Sequence, residues 1–278
     1  MTRELVEDPA DPRLDGYRFL REPGRRRRIE RNQEVFVAEG LVVLEALLSS
    51  PYRLRSALVS VGRADAAAEL LAGVDAPLFV ASPDVLAEVA GFSVHRGVVG
   101  LGERRPFPDP WNLVAATNLL VLVEGINDHE NLGALYRNAA AFGAGAVLLD
   151  PTTADPLYRR CLRVSMGHAL RVPTARVPWP EALVRLRNEG WTVLALTPDP
   201  AAEDLRAVAE EIASRPGESG PRRVALVVGA EGSGLSAEAL AVAGRRVRIP
   251  MAGSVDSLNV ATAAAVALYV VAPVASGW

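Results

Sequence analysis

The sequence contains no lysine: all 30 of its basic residues are arginine. That absence removes Schiff-base catalysis through a lysine amine and the phosphate-gripping lysine of a Walker loop. Cys161 is the only cysteine, so no intrachain disulfide can form and no cysteine-rich metal cluster can be built; no metal is expected. Long apolar runs are missing as well. The nearest, Val260 to Val274, is alanine-rich and shorter than a membrane span requires. The opening stretch Met1 to Asp15 is acidic and polar, without the basic segment and apolar run of a secretory signal, and a cytoplasmic protein is expected. Excess positive charge is also lacking. The formal net charge is −3, so composition does not advertise a nucleic-acid binder. Arginine is the better bidentate phosphate ligand, although codon bias toward GC is the simpler cause of an all-arginine set.

What is present is the make-up of a globular protein. The 278 residues are half hydrophobic, enough for one large core or two smaller ones. Three prolines at alternating positions, Pro106, Pro108 and Pro110, mark an extended linker over 105–111, because proline fixes φ and removes backbone donors. Residues 1–104 read as a small α/β domain. It opens loosely and carries the run Arg25-Arg26-Arg27-Arg28. Strands are then expected at 35–40, 54–61, 78–80 and 98–101, and helices at 41–48, 64–71 and 83–90, the last capped by Ser82. Residues 112–278 alternate between short apolar strands (119–123, 146–149, 192–196, 224–228, 247–249) and helices (131–142, 158–164, 179–188, 237–241, 260–271). Continuous apolar strands between helices imply a parallel sheet covered on both faces. The polar stretch 210–222 reads as a surface loop.

Three segments of this second half carry the chemistry. Glu124 to Asn138 follows a buried strand, which places Asn131 and Arg137 at the carboxyl edge of a parallel sheet, where ligands of α/β proteins bind. Gly229-Ala230-Glu231-Gly232-Ser233-Gly234-Leu235 also follows a strand, and its glycines let backbone approach a ligand closely. Its spacing is not that of a dinucleotide fingerprint. Ile249-Pro250-Met251-Ala252-Gly253-Ser254-Val255-Asp256-Ser257-Leu258-Asn259-Val260 runs from a strand end into an alanine-rich helix that Ser257 or Asn259 can cap.

In this order and spacing the three segments closely resemble the SpoU (TrmH-like) family of RNA 2′-O-ribose methyltransferases. The likeness covers essentially the whole second half, and Val37-Ala38-Glu39-Gly40 and His95-Arg96-Gly97-Val98 resemble the ends of the family's substrate-binding extension. The resemblance implies an α/β fold with a C-terminal trefoil-knotted, parallel-sheet methyltransferase domain. It also implies a smaller N-terminal α/β RNA-binding domain of ribosomal-protein-like fold, and assembly as a homodimer. It implies S-adenosylmethionine as cofactor, held by Gly229, Ala230, Gly232, Ile249, Met251 and Leu258. The implied catalytic and RNA-facing set is Asn131, Arg137, Glu231, Ser257 and Asn259.

Methyl transfer from a sulfonium is an in-line displacement that depends on alignment, which can supply up to roughly 7–11 kcal/mol of barrier reduction. The sulfonium is a good leaving group, so no metal is needed. Arg137 can clamp the target phosphate and orient the 2′-hydroxyl, or act as the base; a guanidinium is normally a donor only, which favours the clamp. His129 is close in sequence, but the family pattern does not require it. Asn259 and Ser257 are expected to hold Arg137 or the nucleotide, and Glu231 to pair with an arginine or accept backbone N–H groups. Arg25 to Arg28 form either a salt-dependent RNA contact or a solvated helix face. Two other readings compete. One is a knotted RNA-binding protein without activity. The other is a nucleotide-dependent oxidoreductase using Gly143, Gly145 and Asp150, which fails because those glycines precede a strand. The ribosomal-protein-like extension favours ribosomal over transfer RNA.

Overall fold

The computed structural model describes residues 2–214, 222–253 and 255–276. The first stretch contains β1 (Arg3–Leu5), α1 (Pro23–Asn32), β2 (Val35–Glu39), α2 (Leu41–Leu48), β3 (Leu54–Ser60), α3 (Ala64–Leu70), β4 (Leu78–Ala81), α4 (Pro83–Ala90) and β5 (Val98–Glu103). The second contains α5 (Pro110–Ala115), β6 (Leu119–Glu124), α6 (His129–Ala141), β7 (Ala146–Leu149), α7 (Arg159–Val164), β8 (Thr174–Arg176), α8 (Glu181–Asn188), β9 (Thr192–Leu196), β10 (Glu203–Asp204), α9 (Leu205–Ala213), β11 (Val224–Gly229), α10 (Ala237–Val242), β12 (Arg245–Arg248) and α11 (Val260–Ser276).

These elements form two compact units: Met1–Pro106 with Leu157–Arg171, and Phe107–Pro156 with Val172–Trp278. A single change of domain at 105–111 is the expectation from the sequence; the structure adds the excursion 157–171, between β7 and β8, to the first unit. Local interactions hold it there. Arg159 bonds Glu39 at 2.6 Å, and Leu157, Cys161, Leu162, Ala169 and Leu170 are buried. Gly167 lies so close to α2 that a Cβ would come within 2.2 Å of the Ala46 Cβ. The linker is shorter than its prolines imply. Pro110 and Trp111 already open α5, with Asp109 accepting from the Trp111 N–H at 2.8 Å and proline at the first helical position.

The first unit is built on a mixed sheet ordered β1-β4-β3-β5-β2, in which β5 is antiparallel to both β3 and β2. One face packs Leu14, Tyr17, Leu58, Phe79, Leu86 and Val99 into a core. The arginine run is part of the helix α1. It does not form one solvated face. Arg26 is buried, its Nε 2.8 Å from Glu30, also buried, one helical turn on. Arg26 is therefore excluded from a surface RNA contact, because its guanidinium holds α1 in place from inside. Burial pulls the Arg26 proton affinity below the usual arginine range while Glu30 opposes the shift. Arg25, Arg27 and Arg28 are exposed.

The second unit has an all-parallel sheet of seven strands, ordered β10-β12-β9-β11-β6-β7-β8. Strand side chains alternate between faces. Leu120, Leu122, Ala225 and Val227 join one core with Leu183 and Leu186 of α8 and Ala239 of α10. Val121, Val123, Leu226 and Val228 are equally buried, and α11 packs on β11, α6 and α9. The stretch read as a loop from 210 begins as helix: Glu210 to Ala213 are the last turn of α9, whose Leu205, Val208, Ala209 and Ile212 are buried at helical spacing. Residues 215–221 of that stretch lie outside the described residues. No helix among the described residues is long and apolar enough to cross a membrane.

Candidate active site

The sheet order decides where the three segments meet. Neighbouring strands β6 and β11 run parallel with Glu124 opposite Gly229, so the first and second segments leave the sheet side by side. Strand β12 lies beyond β9, whereas α11 packs back on β11 and α6. Residues 249–253 and 255–259 therefore lie above the carboxyl ends of β9 and β11. Beneath them lies a cavity of about 560 Å³, within the roughly 300–1,000 Å³ common for small-molecule sites. It is lined by Leu196, Thr197 and Pro198 after β9, by Val228 to Gly232 and Gly234 after β11, and by Ile249, Met251, Asp256, Ser257, Leu258, Asn259, Val260 and Ala263. All six residues expected to hold the cofactor, Gly229, Ala230, Gly232, Ile249, Met251 and Leu258, are on this wall.

The glycine turn needs its glycines. A Cβ on Gly229 would fall 2.3 Å from the Gly234 carbonyl carbon and 2.5 Å from the Leu235 nitrogen, backbone atoms that cannot yield. Gly232 and Gly234 have φ of +84° and +67°, in the left-handed region. The Gly234 N–H donates to the Ala230 carbonyl at 3.0 Å and closes the loop. The chain then enters α10 at Ser236, whose hydroxyl accepts from the Ala239 N–H at 3.1 Å.

Asn259 joins the three segments. Its Nδ2 donates to Asn131 Oδ1 at 2.7 Å and to Glu231 Oε1 at 2.6 Å. Its Oδ1 accepts from the N–H groups of Ala261 and Thr262 at 3.0 and 3.1 Å. One side chain thus caps α11 and ties it to the first helical turn of α6 and to the glycine turn. This settles two expectations. Asn259, and not Ser257, is the cap; Ser257 is exposed and makes no hydrogen bond among the described residues. Asn259 does not hold Arg137: the Oδ1 that a guanidinium would need accepts instead from the Ala261 and Thr262 N–H groups. Glu231 accepts from that amide and forms no ion pair among the described residues. A further bond runs from Asn138 Nδ2 to the Ala261 carbonyl at 2.8 Å. Arg137 projects from α6, exposed, with no hydrogen bond or ion pair among the described residues.

Two carboxylates at strand ends lie outside the expected catalytic set, and one of them, Asp150, is the residue of the oxidoreductase alternative. Asp150, buried at the end of β7, accepts from the Gly125 and Thr153 N–H groups and from the hydroxyls of Thr152 and Thr153. Burial raises its pKa, but those hydrogen bonds outweigh it, and the carboxyl is held below its ordinary value. Glu124 accepts from Trp179 Nε1 at 2.6 Å and from the Ser236 N–H at 2.9 Å. Only the position of these carboxylates at strand ends hinted at a role. Among the described residues no group of His, Cys, Asp and Glu could hold a metal ion.

Known proteins resemble this chain in sequence and fold. The model of the SpoU rRNA Methylase family matches residues 118–269. An uncharacterized tRNA/rRNA methyltransferase of Mycobacterium tuberculosis is 47% identical over 95% of this chain and 90% of its own length. The 23S rRNA (guanosine-2′-O-)-methyltransferase RlmB of Salmonella typhi is 30% identical over 83% of this chain and 95% of its own. Among solved structures, the AdoMet-bound rRNA methyltransferase of Sinorhizobium meliloti superposes with a TM-score of 0.76 at 26% identity, covering 98% of this chain and 97% of that one.

Proposed function

The chain belongs to the SpoU rRNA methylase family, and from that premise we propose that it methylates ribose 2′-hydroxyls of RNA with S-adenosylmethionine bound in the cavity beside the glycine turn. The convergence of all three segments on Asn259 carries the reading. The cavity wall suits an adenosyl group joined to an amino acid: apolar faces from Leu196, Ile249, Met251 and Leu258, with polar groups from Asp256, Ser257 and Asn259 at intervals. Bound there, S-adenosylmethionine supplies a methyl group on a positive sulfur that an incoming oxygen can displace in line.

This chain's part is orientation. Asn259 fixes the start of α6 against the glycine turn, and Arg137 extends from the same helix two turns on. An exposed, unpaired guanidinium is suited to take a target phosphate with two parallel hydrogen bonds, and so to present the neighbouring 2′-hydroxyl. We assign Arg137 this clamp in preference to proton abstraction, since no described side chain is bonded to it to relay a proton. Asn131, Glu231, Ser257 and Asn259 complete the polar set.

The finer parts of the reading rest on narrower support. Ribosomal RNA is favoured over transfer RNA because relatives such as RlmB are named for 23S rRNA, and the cytoplasm is where such a substrate is met. Exposed Arg25, Arg27 and Arg28 make α1 the RNA-binding face of the first unit. The trefoil knot of the family belongs to the third segment and α11. A homodimer is favoured by α11 itself: Ala265, Val266, Tyr269, Val270 and Pro273 form a partly to fully exposed stripe without a charge.

Incubation of the protein with ribosomal RNA and methyl-labelled S-adenosylmethionine, followed by digestion to nucleosides, tests the reaction. A 2′-O-methylnucleoside is expected, and the Arg137→Ala variant should yield it at least 100-fold more slowly. Cofactor binding without transfer to any RNA would favour the inactive RNA-binding reading instead. Transfer by Arg137→Ala at near the parent rate would remove both the clamp and the base role.

A further inference from the structure

We propose that Glu124 is a positioning residue for cofactor binding: it holds the far end of the glycine turn in the shape that receives the cofactor. This rests on the cavity being the S-adenosylmethionine site. The glycine turn, Gly229 to Leu235, has two ends. The near end is fixed by the ladder between β11 and β6. At the far end, Ser236 is held by its N–H bond to Glu124 Oε2 at 2.9 Å, with its hydroxyl capping α10. Glu124 sits directly opposite Gly229, at the end of a strand whose five preceding residues are buried, so its backbone is a fixed post. One side chain therefore bridges from the strand beside the turn's first residue to the residue just after its last.

Glu124 does not line the cavity, and both its oxygens are occupied, so it acts on the cofactor only through the turn. Trp179 Nε1, 2.6 Å from Oε1, fixes the carboxylate's rotation. The two partners are both N–H donors, and only a carboxylate can accept from both. Glutamine has the same shape but one acceptor; its amide N–H groups must face either Trp179 or Ser236. A half-buried donor meeting a donor is costly, and the turn relaxes to relieve it. The apparent affinity for cofactor then falls by the fraction of molecules whose turn keeps the competent shape.

The test is calorimetric binding of S-adenosylhomocysteine, together with methyl-transfer kinetics, on the full chain. Glu124→Gln should raise Kd, and KM for S-adenosylmethionine, by about tenfold, with kcat at saturating cofactor within about twofold of the parent. In a Trp179→Phe background the glutamine can turn its oxygen to Ser236, because its amide no longer meets a donor. There Glu124→Gln should bind within about twofold of Trp179→Phe alone, whereas Glu124→Ala, which leaves the Ser236 N–H unheld, should bind about tenfold more weakly. A single Glu124→Gln variant that binds as tightly as the parent overturns the inference. So does equal affinity of the glutamine and alanine variants in the Trp179→Phe background, which remains decisive if the single variant does not fold. A parent protein that binds no S-adenosylhomocysteine would overturn the reading of the cavity, and the inference with it, before any variant is compared.

Discussion

Replacing Asn259 by aspartate and by alanine separates its two jobs. Alanine removes everything: the cap on α11 and the two bonds from Nδ2 to Asn131 and Glu231. Loss of an N-cap costs about 1 kcal/mol. Each exposed side-chain bond adds roughly 0.5–1 kcal/mol, so the variant should lose about 2–3 kcal/mol. For a folding unit of this size that is a fall in Tm of about 5–10 °C. Aspartate keeps an oxygen for the Ala261 and Thr262 N–H groups, and its charge suits a helix N-terminus. It has no hydrogen for Asn131 or Glu231 and places a second carboxylate where Glu231 now accepts at 2.6 Å. Asn259→Asp should therefore lose about 1–2 kcal/mol for the two links, with the helix-dipole gain offsetting the repulsion, and melt about 3–5 °C below the parent. Its methyl transfer should nevertheless fall at least tenfold. Thermal unfolding by circular dichroism and single-turnover methyl transfer read the two effects separately. Full activity in Asn259→Asp would mean that the link between the three segments does not position the reaction. An aspartate variant melting as low as the alanine variant would mean that the cap adds no measurable stability.

Four other substitutions test particular parts of the structure. Gly229→Ala should weaken S-adenosylhomocysteine binding by more than tenfold in calorimetry, because its Cβ would fall within 2.5 Å of Gly234 and Leu235 backbone; unchanged affinity would show that the turn has another open shape. Arg26→Ala should destabilise the chain by about 2–4 kcal/mol in urea unfolding, since it strands buried Glu30 with only Arg104 3.6 Å away. Arg28→Ala should instead leave stability unchanged and lower the salt dependence of RNA binding by about one unit of slope, and equal effects from the two would contradict the separation of inner from outer arginines. Asp150, with its folded pKa held below the ordinary 3.8, should add stability that is complete above that value and is lost as pH falls through the lower folded value. Acid unfolding should thus begin at higher pH in the parent than the Asp150→Asn variant would show relative to its own neutral-pH stability; identical acid profiles would remove Asp150 as a buttress.

The legible parts of the fold were those with local signals. The helix at 83–90 has its serine cap before it and a left-handed glycine after it, and it forms at those residues. The strands around the site are short apolar runs, and each forms within a residue or two of its expected place. What was not legible depends on distance. Nothing near Arg26 in sequence distinguishes it from Arg25 or Arg28; only the fold puts it inside. The end of α9 was hidden by Glu210 and Glu211, although Leu205, Val208, Ala209 and Ile212 carried the helical period. The segment 157–171 has an ordinary helical pattern, and its membership of the first unit turns on partners such as Glu39 and Ala46 more than a hundred residues away. At the site, the capping role of Asn259 could be read from its place before an alanine-rich helix. Its bond to Asn131, 128 residues away, could not.

The two uses of arginine on this chain follow from one principle. Removing a guanidinium from water is costly, and only a well-placed partner compensates. At Arg26 the fold has met that cost with Glu30, so the charge is committed and cannot serve an incoming phosphate. At Arg137 no partner is provided among the described residues, and the side chain stays in solvent, where its charge costs the fold nothing. Its compensation must then come from whatever binds above α6. A phosphate arriving there is desolvated together with the arginine, and part of the resulting interaction is available to orient the adjoining ribose. The Asn131–Asn259–Glu231 links serve the same end from below. They hold the base of α6, so that the energy of the proposed clamp would be spent on the substrate and not on moving the helix. An arginine already paired in the resting protein would have to break that pair first. An Arg137 without a partner among the described residues is thus the arrangement that the proposed clamp requires.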